Sequence, residues 1–226
     1  MPGRDITFVN DGIYHIFNRT ADKSGVFSDN NLSLLFLDLL KYYRSERANL
    51  RYSNYQELNL EIKKFYEEQL RIMKYFYIDL YCFSIMPTHY HLLLRQKKNG
   101  GLSHYISQII NSFTHYYNNK NNRLGPIFLS PFRAVQVRTH EQFIHVTRYI
   151  HLNHYSSGFL KDIDDLFSYP FSSLPRYVNI RKDELVEKTF LLRMFHNNPS
   201  RYREFILNNA EYQKSLERLK YTEKWK

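Results

Sequence analysis

The chain has 226 residues, enough to bury a sizeable core and few enough for one domain with an appendage. Its 32 Lys and Arg outweigh 22 Asp and Glu, so the net charge is +10 and the expected partner is a polyanion, nucleic acid first. Cys82 is the only cysteine, which excludes an intrachain disulfide and a thiolate metal cluster and fits a reducing cytoplasm.

The start, Met1-Pro2-Gly3-Arg4-Asp5, lacks the apolar run of a signal peptide, and no apolar stretch is long enough to span a bilayer, so no membrane association is expected. Residues 12–19 (GIYHIFNR) alternate like a strand. Ser24-Gly25 breaks it, and Ser28 or Asp29 can cap a helix with Leu32, Leu35, Phe36, Leu39 and Leu40 at helical spacing. Residues 54–73 predict a second, more polar helix striped by Leu58, Ile62, Phe65, Leu70 and Met73. Tyr75 to Met86 reads as a long strand, and Pro87-Thr88 turns it into another carrying His89 and His91.

Asn99-Gly100-Gly101 is a break, and Ser103 can cap a helix reaching about Asn118, with Ile106, Ile109, Ile110, Phe113 and Tyr117 inward. A polar loop, 118–122, precedes a strand at 132–138 (FRAVQVR). Thr139, with Glu141-Gln142 in the first turn, opens a helix that carries Tyr149 and Asn153 and stops before Gly158. Residues 159–182 read as mostly irregular, 183–195 and 200–210 as two short helices, and 214–226 as a charged, solvated tail. Strand, helix, helix, strand, strand, helix, strand, helix is the order of an α+β fold: a ferredoxin-like antiparallel sheet with helices packed on it, followed by a C-terminal helical extension.

Two pairs of residues carry chemistry. His89 and His91, two apart on a strand, share a face with Leu93 and Arg95, while Tyr90, Leu92 and Leu94 point into a core. Two neighbouring imidazoles can grip a divalent metal. Tyr149 and Asn153, four apart on a helix, share a face, so a phenol and a carboxamide oxygen can approach one ion. Singly these signals are weak: a lone H-x-H is ordinarily structural, and Tyr149 is one of 20 tyrosines. His151 and His154 lie on the same helix and compete as ligands, and His15 reads as a strand histidine near the site or buried.

Taken in order, Gly12-Ile13-Tyr14-His15, then 86–94 (MPTHYHLLL), 148–153 (RYIHLN) and 169–173 (YPFSS), resemble the REP-associated tyrosine transposases, single-tyrosine members of the HUH superfamily. The resemblance covers roughly residues 8–177 and implies that 1–182 form the transposase domain, with a helical insertion at about 49–73 and a C-terminal extension at 183–226. It implies Tyr149 as the nucleophile, His89, His91 and Asn153 as metal ligands, and a ferredoxin-like fold. The family usually follows this Asn with Pro; here His154 lets the helix continue.

The activity the resemblance implies is metal-dependent nicking and rejoining of single-stranded DNA through a 5′-phosphotyrosine, at structured, hairpin-like repeat ends. Mixed imidazole and oxygen ligands suit Mg²⁺ or Mn²⁺, with Mn²⁺ the better match in softness. No Gly-rich phosphate loop is present, and none is needed. Arg133, Arg138, Arg148, Lys97 and Lys98 are the expected phosphate contacts; Tyr105 is a candidate for base stacking, whereas Tyr90, considered for the same role, is better placed in the core. The rivals are a DNA-hairpin or RNA-binding protein that keeps the fold without turnover, and a water-using phosphodiesterase. Monomer and homodimer both remain compatible.

Overall fold

A computed structural model describes residues 6–178 and 184–223, with side chains to 216. Four strands, β1 (Ile13–Arg19), β2 (Ile78–Met86), β3 (His89–Gln96) and β4 (Arg133–Val137), form one sheet in the order β2-β3-β1-β4, and every neighbouring pair is antiparallel. This is the ferredoxin-like arrangement: each of the two strand–helix–strand units straddles a strand of the other.

Helix α1 (Asn30–Tyr42) begins at Asp29, whose carboxylate accepts from the Asn31 amide. Helix α4 (Gly101–Lys120) lies beside α1 on one sheet face. There Tyr14, Ile16, Tyr90 and Leu92 meet Phe36, Ile109 and Phe113, all at most 1% exposed. Ser103 does not cap α4. Gly100, in the left-handed conformation at φ 67°, precedes its first turn, a backbone that a residue without a Cβ adopts cheaply. Tyr90 and Tyr105 are buried in this core, and Tyr105 donates to Leu40 O at 2.9 Å; neither presents a ring for base stacking.

The stretch predicted as one helix over 54–73 is two, α2 (Tyr52–Gln56) and α3 (Leu60–Leu70), because Asn59 takes an extended backbone and caps α3. The predicted stripe holds only in part: Leu70 is buried and Leu58 packs against the core, but Ile62, Phe65 and Met73 are 50%, 64% and 59% exposed. Tyr42, Tyr52, Tyr55 and Tyr66 pack the segment onto α1 instead, through ring contacts of 4.8–6.4 Å.

The opposite sheet face is covered by α5 (His140–Ser156), which Thr139 caps by accepting from the Gln142 amide. Helix α5 runs past Asn153 to Ser156, as the absence of proline at 154 predicts. Beyond it come α6 (Leu174–Val178), α7 (Thr189–Arg193), α8 (Pro199–Leu207) and α9 (Ala210–Glu223). Residues 179–183, where the domain boundary at 182 was expected, lie outside the described residues, as do 1–5 and 224–226. Of the tail expected over 214–226, side chains are described only to 216; Ser215 and Leu216 are exposed, while Lys214 is half-buried. Helix α9 packs along α5, where Glu211 takes the Tyr155 hydroxyl and Lys214 lies 3.8 Å above the Tyr155 ring. The outer edge of β2 is covered by residues 171–173, through Ile85 N to Phe171 O at 2.9 Å and Ser173 N to Phe83 O at 3.0 Å.

Candidate metal and nucleophile site

The strand register settles which side chains share the α5 face. Opposed residues of an antiparallel pair lie on the same face. Phe17 opposes His91 and Arg133, Arg19 opposes His89, and Ser84 opposes His91. His15, Phe17, Arg19, His89, His91 and Arg133 are therefore neighbours on the surface over which α5 crosses.

His89 and His91 point the same way, with ring centroids 5.2 Å apart and planes at 84°. Their surroundings differ. His89, at the head of β3, is half-buried, and its Nδ1 lies 3.0 Å from Thr88 Oγ1. His91 is 6% exposed, so this is no open sheet face. Phe17 stacks on its ring at 5.7 Å, and His15 Nε2 lies 3.0 Å from its Nδ1. Burial, reinforced by the histidines around it, holds the His91 pKa well below the ordinary value. Burial lowers His15 to about 4. Both rings are neutral at pH 7 and retain a lone pair, the form that binds metal.

Tyr149 projects from α5 onto this patch. Its ring sits edge-on to His91 at 5.7 Å and to His15 at 6.0 Å. Gln213 of α9 donates to the Tyr149 backbone carbonyl at 3.1 Å, so the C-terminal extension touches the turn that carries the phenol. Asn153, one turn further on, is 5% exposed, and its Nδ2 has no hydrogen-bond partner among the described residues.

His151 and His154 of α5 are structural. His154 Nε2 donates to Ile85 O at 2.9 Å, which leaves Nδ1 to accept from Ser84 Oγ at 3.3 Å. His151 places its nitrogens 2.6 Å from Tyr202 Oη and 2.7 Å from Ser173 Oγ. With both nitrogens of each ring engaged by protein groups, neither is a metal ligand. Among the described residues, no three His, Cys, Asp or Glu side chains form a metal-holding group, so any site built on His89 and His91 needs a different third donor.

The basic residues fall into two sets. Arg133 is exposed two strands from His91, across Phe17 of β1, and Arg148 immediately precedes Tyr149 on α5, with its guanidinium 4.4 Å over the Phe205 ring. Lys97 and Lys98 follow the opposite end of β3, about 25 Å from His89 at strand rise. There Lys97 lies 3.5 Å from Asp79 and Lys98 pairs with Glu46. Arg138 sits at the same far end, past the Val137–Ile13 pair. Sequence reasoning passed over Arg19 and Phe17 and gave His15 no partner. Their period-two spacing on β1 was visible, but the strand beside β1 was not.

No family model and no curated protein matches the sequence. Among solved structures, a REP-associated tyrosine transposase bound to a REP hairpin aligns with a TM-score of 0.53 and 13% identity, over 84% of this chain and 96% of that one. A "putative transposase" from Deinococcus radiodurans R1 aligns with a TM-score of 0.33 and 13% identity, over 66% of this chain and 95% of that one. This chain shares its fold with a REP-associated tyrosine transposase, the family its motifs resemble.

Proposed function

We propose that the protein is a metal-dependent single-stranded DNA endonuclease and strand transferase, a transposase that uses Tyr149 as nucleophile on hairpin-forming repeat ends. One observation carries this reading: the Tyr149 ring stands edge-on to His91, 5.7 Å away, on the face that also presents His89. The three side chains come from one chain, which supports a monomer with Tyr149 acting in cis.

The donor set fits a divalent ion. His89 and His91 supply imidazole nitrogens, and Asn153 supplies the third ligand. Its carboxamide is buried with Nδ2 unmatched, and a half-turn of the amide exchanges N and O, bringing Oδ1 to that position. Held by these residues, Mg²⁺ or Mn²⁺ would polarise a non-bridging phosphate oxygen and offset charge in the transition state. Tyr149 gives up its phenol proton as its oxygen bonds to phosphorus and the bond to the 3′-oxygen breaks. That oxygen takes up a proton and leaves as a 3′-hydroxyl, with the 5′-phosphate esterified to Tyr149. A second 3′-hydroxyl reverses the step and joins strands without water or nucleotide. Arg19, Arg133 and Arg148 hold backbone phosphates beside the site. Arg138, Lys97 and Lys98, at the far end of the sheet, would serve only a longer stem. The domain expected over 1–182 is this catalytic unit, α8 and α9 brace α5, and the chain works in the cytoplasm.

Labelled hairpin DNA with a single-stranded flank, incubated with Mn²⁺, leaves a protein–DNA adduct that survives denaturation, and Tyr149→Phe leaves none. Cleavage without an adduct would favour a water-using phosphodiesterase. Binding without cleavage would favour a DNA-hairpin or RNA-binding protein on the same fold.

A further inference from the structure

The contact between His15 and His91 is not used by the chemistry above, and it constrains that chemistry. His15 Nε2 and His91 Nδ1 are 3.0 Å apart, so one nitrogen must carry the proton and the other accept it. Two arrangements satisfy the contact. If His15 donates, His91 accepts at Nδ1, its own proton sits on Nε2, and no lone pair is left for a cation. If His91 donates from Nδ1, its Nε2 lone pair is free to ligate. Only the second arrangement agrees with His91 as a metal ligand.

The surroundings favour a fixed geometry. Phe17 stacks on His91 with planes at 27°, and Tyr149 is edge-on to both imidazoles. His15 belongs to the central strand β1, flanked by β3 and β4, so its backbone is held on both sides.

We propose that His15 is a positioning residue whose Nε2 accepts the Nδ1–H of His91, fixing the tautomer and ring orientation in which His91 Nε2 binds the divalent ion. The inference rests on the metal reading of His89 and His91. Outer partners of this kind orient metal-bound imidazoles, and their loss typically costs about 10–100-fold in metal affinity.

Two measurements test it. In the metal-free wild-type protein, nitrogen-15 NMR of the imidazoles reports where the His91 proton resides. Nδ1–H is expected; a His91 protonated on Nε2 would overturn the proposal, whatever the variants do. Second, Mn²⁺ affinity is measured from the electron paramagnetic resonance signal of the free ion, without DNA. His15→Phe is expected to bind Mn²⁺ about 10–100-fold more weakly, His15→Gln, with an acceptor oxygen near the Nε2 position, to recover most of that loss, and His91→Ala to abolish binding. His15→Phe binding within twofold of wild type, or His15→Gln binding no better than His15→Phe, would overturn the role of His15 while leaving the metal site standing. Mn²⁺ binding unaffected by His91→Ala would sink the metal reading itself, and this inference with it.

Discussion

His154 offers the sharpest test of how the tyrosine helix is held over the sheet. The ring is fully buried, donates to the Ile85 carbonyl at 2.9 Å and accepts from Ser84 Oγ at 3.3 Å. Truncation to Ala removes both bonds and leaves a hole. A buried carbonyl deprived of its donor costs about 1–3 kcal/mol. Removing a buried aromatic ring costs about 3–5 kcal/mol for Phe→Ala; imidazole is smaller and partly polar, so about 2 kcal/mol is a fair share here. Together, His154→Ala should destabilise the metal-free protein by about 3–5 kcal/mol, a large part of the stability of an ordinary domain. The assay is urea denaturation followed by circular dichroism. His154→Gln, whose amide nitrogen can still reach Ile85, should recover about half. A double-mutant cycle with Ser84→Ala should show coupling of about 1 kcal/mol. A loss below about 1 kcal/mol for His154→Ala, or a His154→Phe variant as stable as wild type, would refute the idea that these hydrogen bonds dock α5 onto β2.

Four further outcomes are expected. Burial holds His151 near 3, below its unfolded value of 6.5, so the unfolded chain binds the extra proton between those limits. Stability therefore falls as pH drops from 7 toward 4, by up to about 1.4 kcal/mol per pH unit for this residue. Denaturation midpoints of the metal-free protein at pH 7 and pH 5 check the sign, and His151→Leu should flatten the slope. Thr139→Ala removes the cap of α5 and should cost about 1 kcal/mol by the same denaturation assay. Arg19→Ala and Arg133→Ala should each lower the salt dependence of single-stranded DNA binding by about one phosphate contact, whereas Lys98→Ala, already paired with Glu46, should leave the slope unchanged on a short oligonucleotide. Asp79→Asn should destabilise the end of β2–β3 by about 1–2 kcal/mol, because the Asp79 carboxylate is 4% exposed and holds Arg95 and Lys97, whose own side chains reach solvent.

No helix among the described residues is long and apolar enough to cross a membrane. The antiparallel sheet and its element order were legible because strands and helices differ in hydrophobic period. His89 and His91 were placed on one face by the two-residue repeat of β3, and Tyr149 with Asn153 by the helical repeat of α5. Those periods are local, so residues close in sequence suffice to read them.

What the chain pattern could not decide was everything that depends on which strand lies beside which. His15 is 76 positions from His91, and only the β1–β3 register makes them neighbours. The same register brings Arg19 to His89 and sends Lys97 and Lys98 to the far end. Helix α3 was misread in part because Ile62 and Phe65 keep a helical period with Leu70 yet face solvent, while Tyr66 packs with tyrosines from α1 and α2. His154 looked like a spare ligand in sequence because an imidazole has the same chemistry in either role. Burial against Ile85 and Ser84 chose the structural one, since a polar ring enclosed by protein must place both nitrogens on protein partners. Period along the chain thus determines which face a residue occupies; long-range packing alone determines what it meets there.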